Sequence, residues 1–318
     1  MKKLIAVIFI GVVLHALMAL GFVAGFNFTQ HQLDTFFILL MIFGGSVLYC
    51  FIVGEITNNY SQMDKLWSIL PIAYVWIVAA RGGMQIRSII YAVIVTLWGI
   101  RLTMNFARKG AYRLKFWEGE EDYRWAILRK NKLFSKKVAW ILFNLLFISI
   151  YQNALVLAMT FPSVAIMEST APFGVMDFVA TFLAFGALVI ETIADEQQWK
   201  FHQDKKTLIN EGKSLEEMPE PYKYGFNTTG LWKVMRHPNY LGEQTIWLFL
   251  YLFVIGAGVA SYGIFNWSLV GPAFIVLLFS GSSTLGESIS SGKYPYYQLY
   301  QKQVFKYLPL KRFNPEKN

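Results

Sequence analysis

The chain has 318 residues, of which 55% are hydrophobic, 17% aromatic and only 15% charged. Soluble domains carry about 25% charged residues, so the composition excludes an ordinary water-soluble enzyme and points to lipid as the solvent for most side chains. A single cysteine, Cys50, excludes an intramolecular disulfide and a cysteine-based metal site, and the net charge of +9 reads as the basic loops of a membrane protein, not as a nucleic-acid surface.

The chain opens with "MKKLIAVIFIGVVLHALMALGFVAG". A cleaved signal peptide has a shorter apolar core and an A-x-A-like site, so this segment is read as a first transmembrane helix. Apolar runs near the ~20 residues that cross a bilayer then predict spans at 4–26, 35–54, 66–80, 86–106, 138–161, 174–194, 243–262 and 264–284, the third short and the last two joined by a tight turn around Gly263. The expected fold is all-α: one polytopic membrane domain over 1–318, with N-terminal helices to 106 and a C-terminal half from 138.

Loop charge sets the expected orientation. Arg108, Lys109, Arg113, Lys115, Arg124, Arg129, Lys130, Lys132, Lys136 and Lys137 crowd the 107–137 loop, whereas 162–173 has no Lys or Arg. Basic residues recur in 195–242 and after 285, so eight spans put all three regions on the side of Lys2 and Lys3, N-in and C-in. Arg81 and Arg87 run against this scheme. The stretch 112–124, "YRLKFWEGEEDYRW" without its last residue, reads either as a solvated charged loop or as a cover for a cofactor.

Candidate chemistry begins at the end of the sixth span, "LVIETIADEQQWKFHQD". If the helix continues into water, Glu191, Asp195 and His202 fall close to one face, with Lys200 and Asp204 nearby. An acid at membrane depth is costly and therefore a functional candidate; the bland alternative is a helix rising into solvent. After a long loop comes "GLWKVMRHPNYLGE", where Pro238 disfavours helix at His237 and suits the first helical position. Arg236, His237 and the free N–H groups of that helix would aim at one spot, a pattern that attracts phosphates and other anions, although interfacial Arg, Trp and Tyr also serve as plain membrane anchors.

This stretch resembles the signature shared by integral-membrane reductases of the steroid 5-alpha-reductase and sterol-reductase type and by isoprenylcysteine carboxyl and phospholipid methyltransferases: Arg236, His237, Pro238, Tyr240 and Gly242 carry it. "TLWGIRLTMNFARKG", "EDYRWAILRK", "ETIADEQQWKF" and "YPYYQLYQKQVFKYLPL" look like a bacterial membrane family with a steroid 5-alpha-reductase-type C-terminal domain, a resemblance running from about residue 60 to the end. It implies a cofactor-binding C-terminal half in a bacterial inner membrane, and NADPH-dependent reduction of an activated C=C bond in a lipophilic steroid-, enone- or polyprenoid-like substrate. S-adenosylmethionine-dependent lipid or prenyl methylation is the alternative on the same fold, and a non-catalytic lipid-binding protein the third possibility.

By the same resemblance Glu191, Asp195, Lys200, Trp232, Arg236, His237, Asn239, Tyr240, Glu243 and Tyr300 are the expected cofactor ligands, Asp195 matching the family's acid. Glu55, Asp64 and Tyr91, with Tyr74 beside them, are candidates for polarising the substrate. The His-rich stretch that animal steroid reductases carry before the last segment is missing from "TLGESISSGKYPYYQLYQK", where Glu287 is the neighbouring acid. The final tyrosines among lysines suit an interfacial amphipathic helix. His15, His31, His202 and His237 lack metal-ligand spacing, and no P-loop or G-x-G-x-x-G opens a βαβ unit.

Overall fold

The structure, a computed structural model, describes residues 28–261 and 263–316. The expected first span at 4–26, with Lys2, Lys3 and His15, lies outside the described residues. Among those described the chain is helical, without a strand; one isolated bridge joins Ser261 and Phe265.

Among the described residues five helices are long and apolar enough to cross a membrane: Gln30–Thr57, Ile86–Ala107, Lys137–Ile166, Val175–Asn210 and Trp267–Lys293. The chain is thus a multi-pass helical protein by length and composition. The first, α1 (Gln30–Thr57), starts at a capping box in which Thr29 Oγ1 accepts from Gln32 N and Gln32 Oε1 accepts from Thr29 N. Asn58, in left-handed conformation, ends it.

The expected span at 66–80 is instead two short pieces. The apolar run there straddles the end of α2 (Gln62–Leu66), and α3 (Leu70–Arg81) begins with Pro71 in its first turn. Its 12 residues reach about 18 Å, short of the ~30 Å hydrocarbon layer. Next comes α4 (Ile86–Ala107), which lies tight against α3: a Cβ on Gly99 would sit 2.6 Å from Ile72 Cδ1.

Past the short α5 (Tyr123–Arg129), the run Lys137–Ile166 is α6 (Lys137–Phe143), a π-helical segment Asn144–Tyr151, α7 (Gln152–Met159) and α8 (Phe161–Ile166). Its i→i+5 register brings Ser149 Oγ to Asn144 Oδ1 at 3.3 Å. The helix expected at 174–194 is α9 (Val175–Asn210), 36 residues that continue far beyond the apolar part. Then come α10 (Pro238–Gly256), α11 (Val270–Lys293) and α12 (Tyr297–Gln303). The polar Asn239, Glu243 and Gln244 in its first turns keep α10 out of the five apolar crossings. The turn expected at Gly263 is present, with Ser261 N donating to Phe265 O and Gly263 at φ +74°.

By contact the chain forms two compact units: residues to Thr181 with Leu250–Phe274, and Phe182–Phe249 with Ile275 onward. The core of the first contains Tyr74, Val78, Tyr91 and Trp98, and seals in an ion pair between Arg87 and Asp177. Arg81 is held by Thr35 and His31. In the second, Tyr224, Phe226, Tyr297, Tyr300, Val304 and Phe313 form an aromatic core. The tail is therefore only briefly helical: Tyr297 and Tyr300 are buried in protein, not spread along an amphipathic interfacial helix.

Candidate functional site

In the second unit the loop ahead of α10 is shaped by α9. Gly230, at φ +55°, lies so close to Gln197 that a Cβ would meet its side chain at 2.4 Å. Gln197 Oε1 accepts from Leu231 N, and Trp232 Nε1 donates to Ala194 O at 3.0 Å. The chain then turns into α10, which begins at Pro238 as the sequence leads one to expect.

At that turn Arg236 and His237 face the tail. Their backbone N–H groups donate to Phe305 O and Lys306 O, both at 3.1 Å. Arg236 Nε donates to Glu287 Oε1 at 2.7 Å, while Nη1 donates to the carbonyls of Gln301 and Val304. His237 Nε2 lies 2.9 Å from the same Glu287 Oε1, and Gln301 Nε2 donates to Oε2 at 3.1 Å. Tyr300 Oη donates to the carbonyls of Trp232 and Met235. Burial pushes the Tyr300 phenol well above its usual pKa, so it remains a donor. Trp232, Arg236 and Tyr300 thus all make contacts that fasten loop, tail and helix start together. Glu287, in sequence only the acid next to the missing His-rich stretch, is the hub.

A second group lies where α9 and α10 touch. Gly242 makes the approach possible: a Cβ there would stand 2.5 Å from Glu191 Cβ. Glu191 and Glu243 are each 3% exposed. Asn239 Nδ2 donates to Asp195 Oδ1 at 3.2 Å, and Glu243 Oε1 accepts from Trp247 Nε1 at 3.3 Å. Tyr240 stacks on His237 with 5.2 Å between ring centres and meets Phe279 edge-on at 4.7 Å. These acids and the carboxamide oxygen can accept from hydroxyl and amide donors. Lys200 is exposed farther along α9 and joins none of these contacts; His202, also exposed, meets Gln198.

The substrate-polarising candidates fall in the first unit. Glu55 Oε1 accepts from Asn144 Nδ2 at 2.7 Å. Asp64 accepts from Trp125 Nε1 at 3.0 Å; burial raises its pKa, against the opposing effect of Arg124. Tyr91 and Tyr74 are fully buried, and the Tyr91 hydroxyl makes no hydrogen bond. Sequence reasoning passed over the buried ladder beside them, in which Asn153 Nδ2 donates to Ser149 O at 2.7 Å and Ser46 Oγ donates to Asn153. Amides inside an apolar run were the available signal.

A family model described as "Protein of unknown function (DUF1295)" matches residues 50–304, a stretch that contains every candidate above. An uncharacterised protein of the fission yeast Schizosaccharomyces pombe is 36% identical over 283 residues, covering 83% of this chain and 78% of that relative. No solved structure matches the chain.

Proposed function

The chain belongs to the DUF1295 family, and from that premise we propose that it is a membrane-embedded reductase using NADPH to saturate an activated C=C bond in a lipophilic steroid-, enone- or polyprenoid-like acceptor. The observation that carries this reading is the wall of Glu191, Asp195, Asn239 and Glu243, with two acids nearly sealed from solvent at the Gly242 contact. Buried carboxylates in a membrane protein are expensive without a task, and these groups fit the hydroxyls and carboxamide of a nicotinamide nucleotide. When bound, that cofactor supplies hydride. Asp195 and Asn239 would orient a ribose, and exposed Lys200 is available to phosphate. Among the polarising candidates, all in the first unit, Tyr91 is preferred because its buried hydroxyl is unbonded, whereas the carboxylates of Glu55 and Asp64 already accept hydrogen bonds.

One observation favours a second reading. Arg236, the cation expected on phosphate, is engaged by Glu287 and two carbonyls. A wall of acids with Arg236 occupied elsewhere suits a cationic sulfonium, so S-adenosylmethionine-dependent methylation of a lipid or prenyl acceptor stands second.

Thermal unfolding of the purified chain separates the readings, because a ligand that binds only the folded state raises its melting temperature. NADPH is expected to stabilise wild type and to stabilise Asp195→Asn and Glu243→Gln less. A shift with S-adenosylmethionine alone would move the assignment to methyl transfer; no shift with either would leave a lipid-binding protein. We further propose eight spans, N-in and C-in: the five long helices, α10 and the segment 4–26 supply seven, and α3, too short to cross a layer of ordinary thickness, supplies the eighth where the bilayer thins around it. The yeast relative broadens the expected location from a bacterial inner membrane to a multi-pass membrane position.

A further inference from the structure

Between α4 and α5 the chain closes into a compact loop, Gly110–Glu120. Its ends meet, with Glu120 N donating to Gly110 O at 3.0 Å. Gly119, at φ +115°, approaches Ala111 so closely that a Cβ would lie 2.1 Å from its carbonyl oxygen.

The loop is seated on the segment that follows α1. Asn59 Nδ2 donates to Gly119 O and Gln62 Nε2 to Trp117 O, both at 2.9 Å. Lys65 Nζ donates to Phe116 O at 2.7 Å and Glu118 O at 2.6 Å, and Tyr112 Oη donates to Lys65 O at 2.9 Å. Phe116 turns inward against Tyr112 and Tyr49.

The tip faces outward. Leu114 is 109% exposed and Trp117 44%, with Arg113 and Lys115 exposed on either side of the leucine. Lys115 meets only Glu118, itself exposed, at 3.3 Å, a weak surface pair; Arg113 has no ion-pair partner among the described residues. A loop fixed this firmly cannot fold its leucine away, and each Å² of apolar surface left in water forgoes about 25 cal/mol. The covering surface is set by position and charge. Loop and seat lie between the ends of apolar helices at Thr57, Leu70, Ala107 and Lys137, and an apolar tip flanked by cations matches lipid headgroups carrying negative charge.

We propose that the Gly110–Glu120 loop docks on anionic phospholipid, Leu114 and Trp117 entering the interface while Arg113 and Lys115 meet headgroup phosphates. The native Cys50 is 2% exposed, so Leu114→Cys can carry an environment-sensitive fluorophore selectively. The labelled full chain is reconstituted in phosphatidylcholine vesicles with and without phosphatidylglycerol.

The expected result is a blue-shifted emission quenched by brominated lipid, stronger with phosphatidylglycerol. Arg113→Ser and Lys115→Ser should each weaken the anionic preference about fivefold. Emission that stays water-like and open to iodide in both membranes overturns the proposal. So does disulfide cross-linking of Leu114→Cys between copies, which would make a second chain the cover. Trp117→Cys provides the same readout should the leucine variant unfold.

Discussion

Two arginines, one in each unit, solve the same problem to different degrees. Arg87 bonds both oxygens of Asp177, at 2.7 and 2.8 Å, together with the carbonyls of Ala171, Pro172 and Gly256; the pair's side chains are 3% and 0% exposed. Arg236 repeats the pattern with Glu287 and two tail carbonyls, but its pair is 12% and 9% exposed and shares the carboxylate with His237. A guanidinium that satisfies a carboxylate and several carbonyls at once is a structural clip. The first clip is sealed from solvent; the second, with an imidazole on the same oxygen, is open at its edge.

The largest effect should follow from breaking the sealed pair. Arg87→Ala leaves Asp177 buried and uncompensated, a loss of about 3–5 kcal/mol, read as a large fall in melting temperature. Replacing both partners with apolar residues of similar volume should recover most of it. If Arg87→Ala is nearly neutral, the two clips do not differ in kind.

Arg236→Ala should cost less, about 1.5–3 kcal/mol for charge-assisted bonds at a partly open site, and should free the tail to proteolysis after residue 293. The same variant sharpens the comparison. If Arg236 also exchanges onto phosphate, the stabilisation by NADPH falls in addition to the baseline; if it is only a clip, the baseline alone falls.

A smaller change tests the wall behind that clip. Alanine ordinarily stabilises a helix interior relative to glycine by about 0.5–1 kcal/mol. At Gly242 the sign should reverse, to a loss of about 1–3 kcal/mol from overpacking, because the added carbon meets Glu191. Chemical denaturation of Gly242→Ala gives the sign directly.

These contacts mark where sequence reading stops. The long apolar helices and the helix start at Pro238 were legible, because hydropathy and proline chemistry are local. The end of α9 was not: Gln197–Asn210 is polar, so composition signals departure from lipid while helix propensity carries the backbone on. Glu191 and Asp195 were legible as acids at a span's end, but their meeting with Asn239 depends on a glycine that looks unremarkable in sequence. Arg236 was legible as a special cation, yet its partner Glu287 lies 51 residues away. Arg87 showed only as a violation of the charge rule, since Asp177 is 90 residues away. Pairings at such distances are fixed by packing, and a single sequence carries no trace of them.

Lys65 supplies the most discriminating test, because it is a buried cation with carbonyl partners that, unlike a guanidinium, can lose its proton. It is fully buried, and burial pushes its ammonium down to about 8 from an ordinary 10.5, against the pull of Asp64. The unfolded chain therefore holds more protons than the folded one between those two values, and stability should rise with pH across that window and level off above it. The slope cannot exceed about 1.4 kcal/mol per pH unit. A neutral amine keeps two N–H donors, enough for Phe116 O and Glu118 O, so the loop should stay seated as the charge is lost. Measured as the difference between wild type and Lys65→Met, the rise should vanish in the variant. The arginine clips contribute no such rise, since guanidinium stays charged throughout. A wild-type curve that instead falls above pH 8 would mean that Lys65, like Arg87, is held by its charge and not only by its hydrogen bonds.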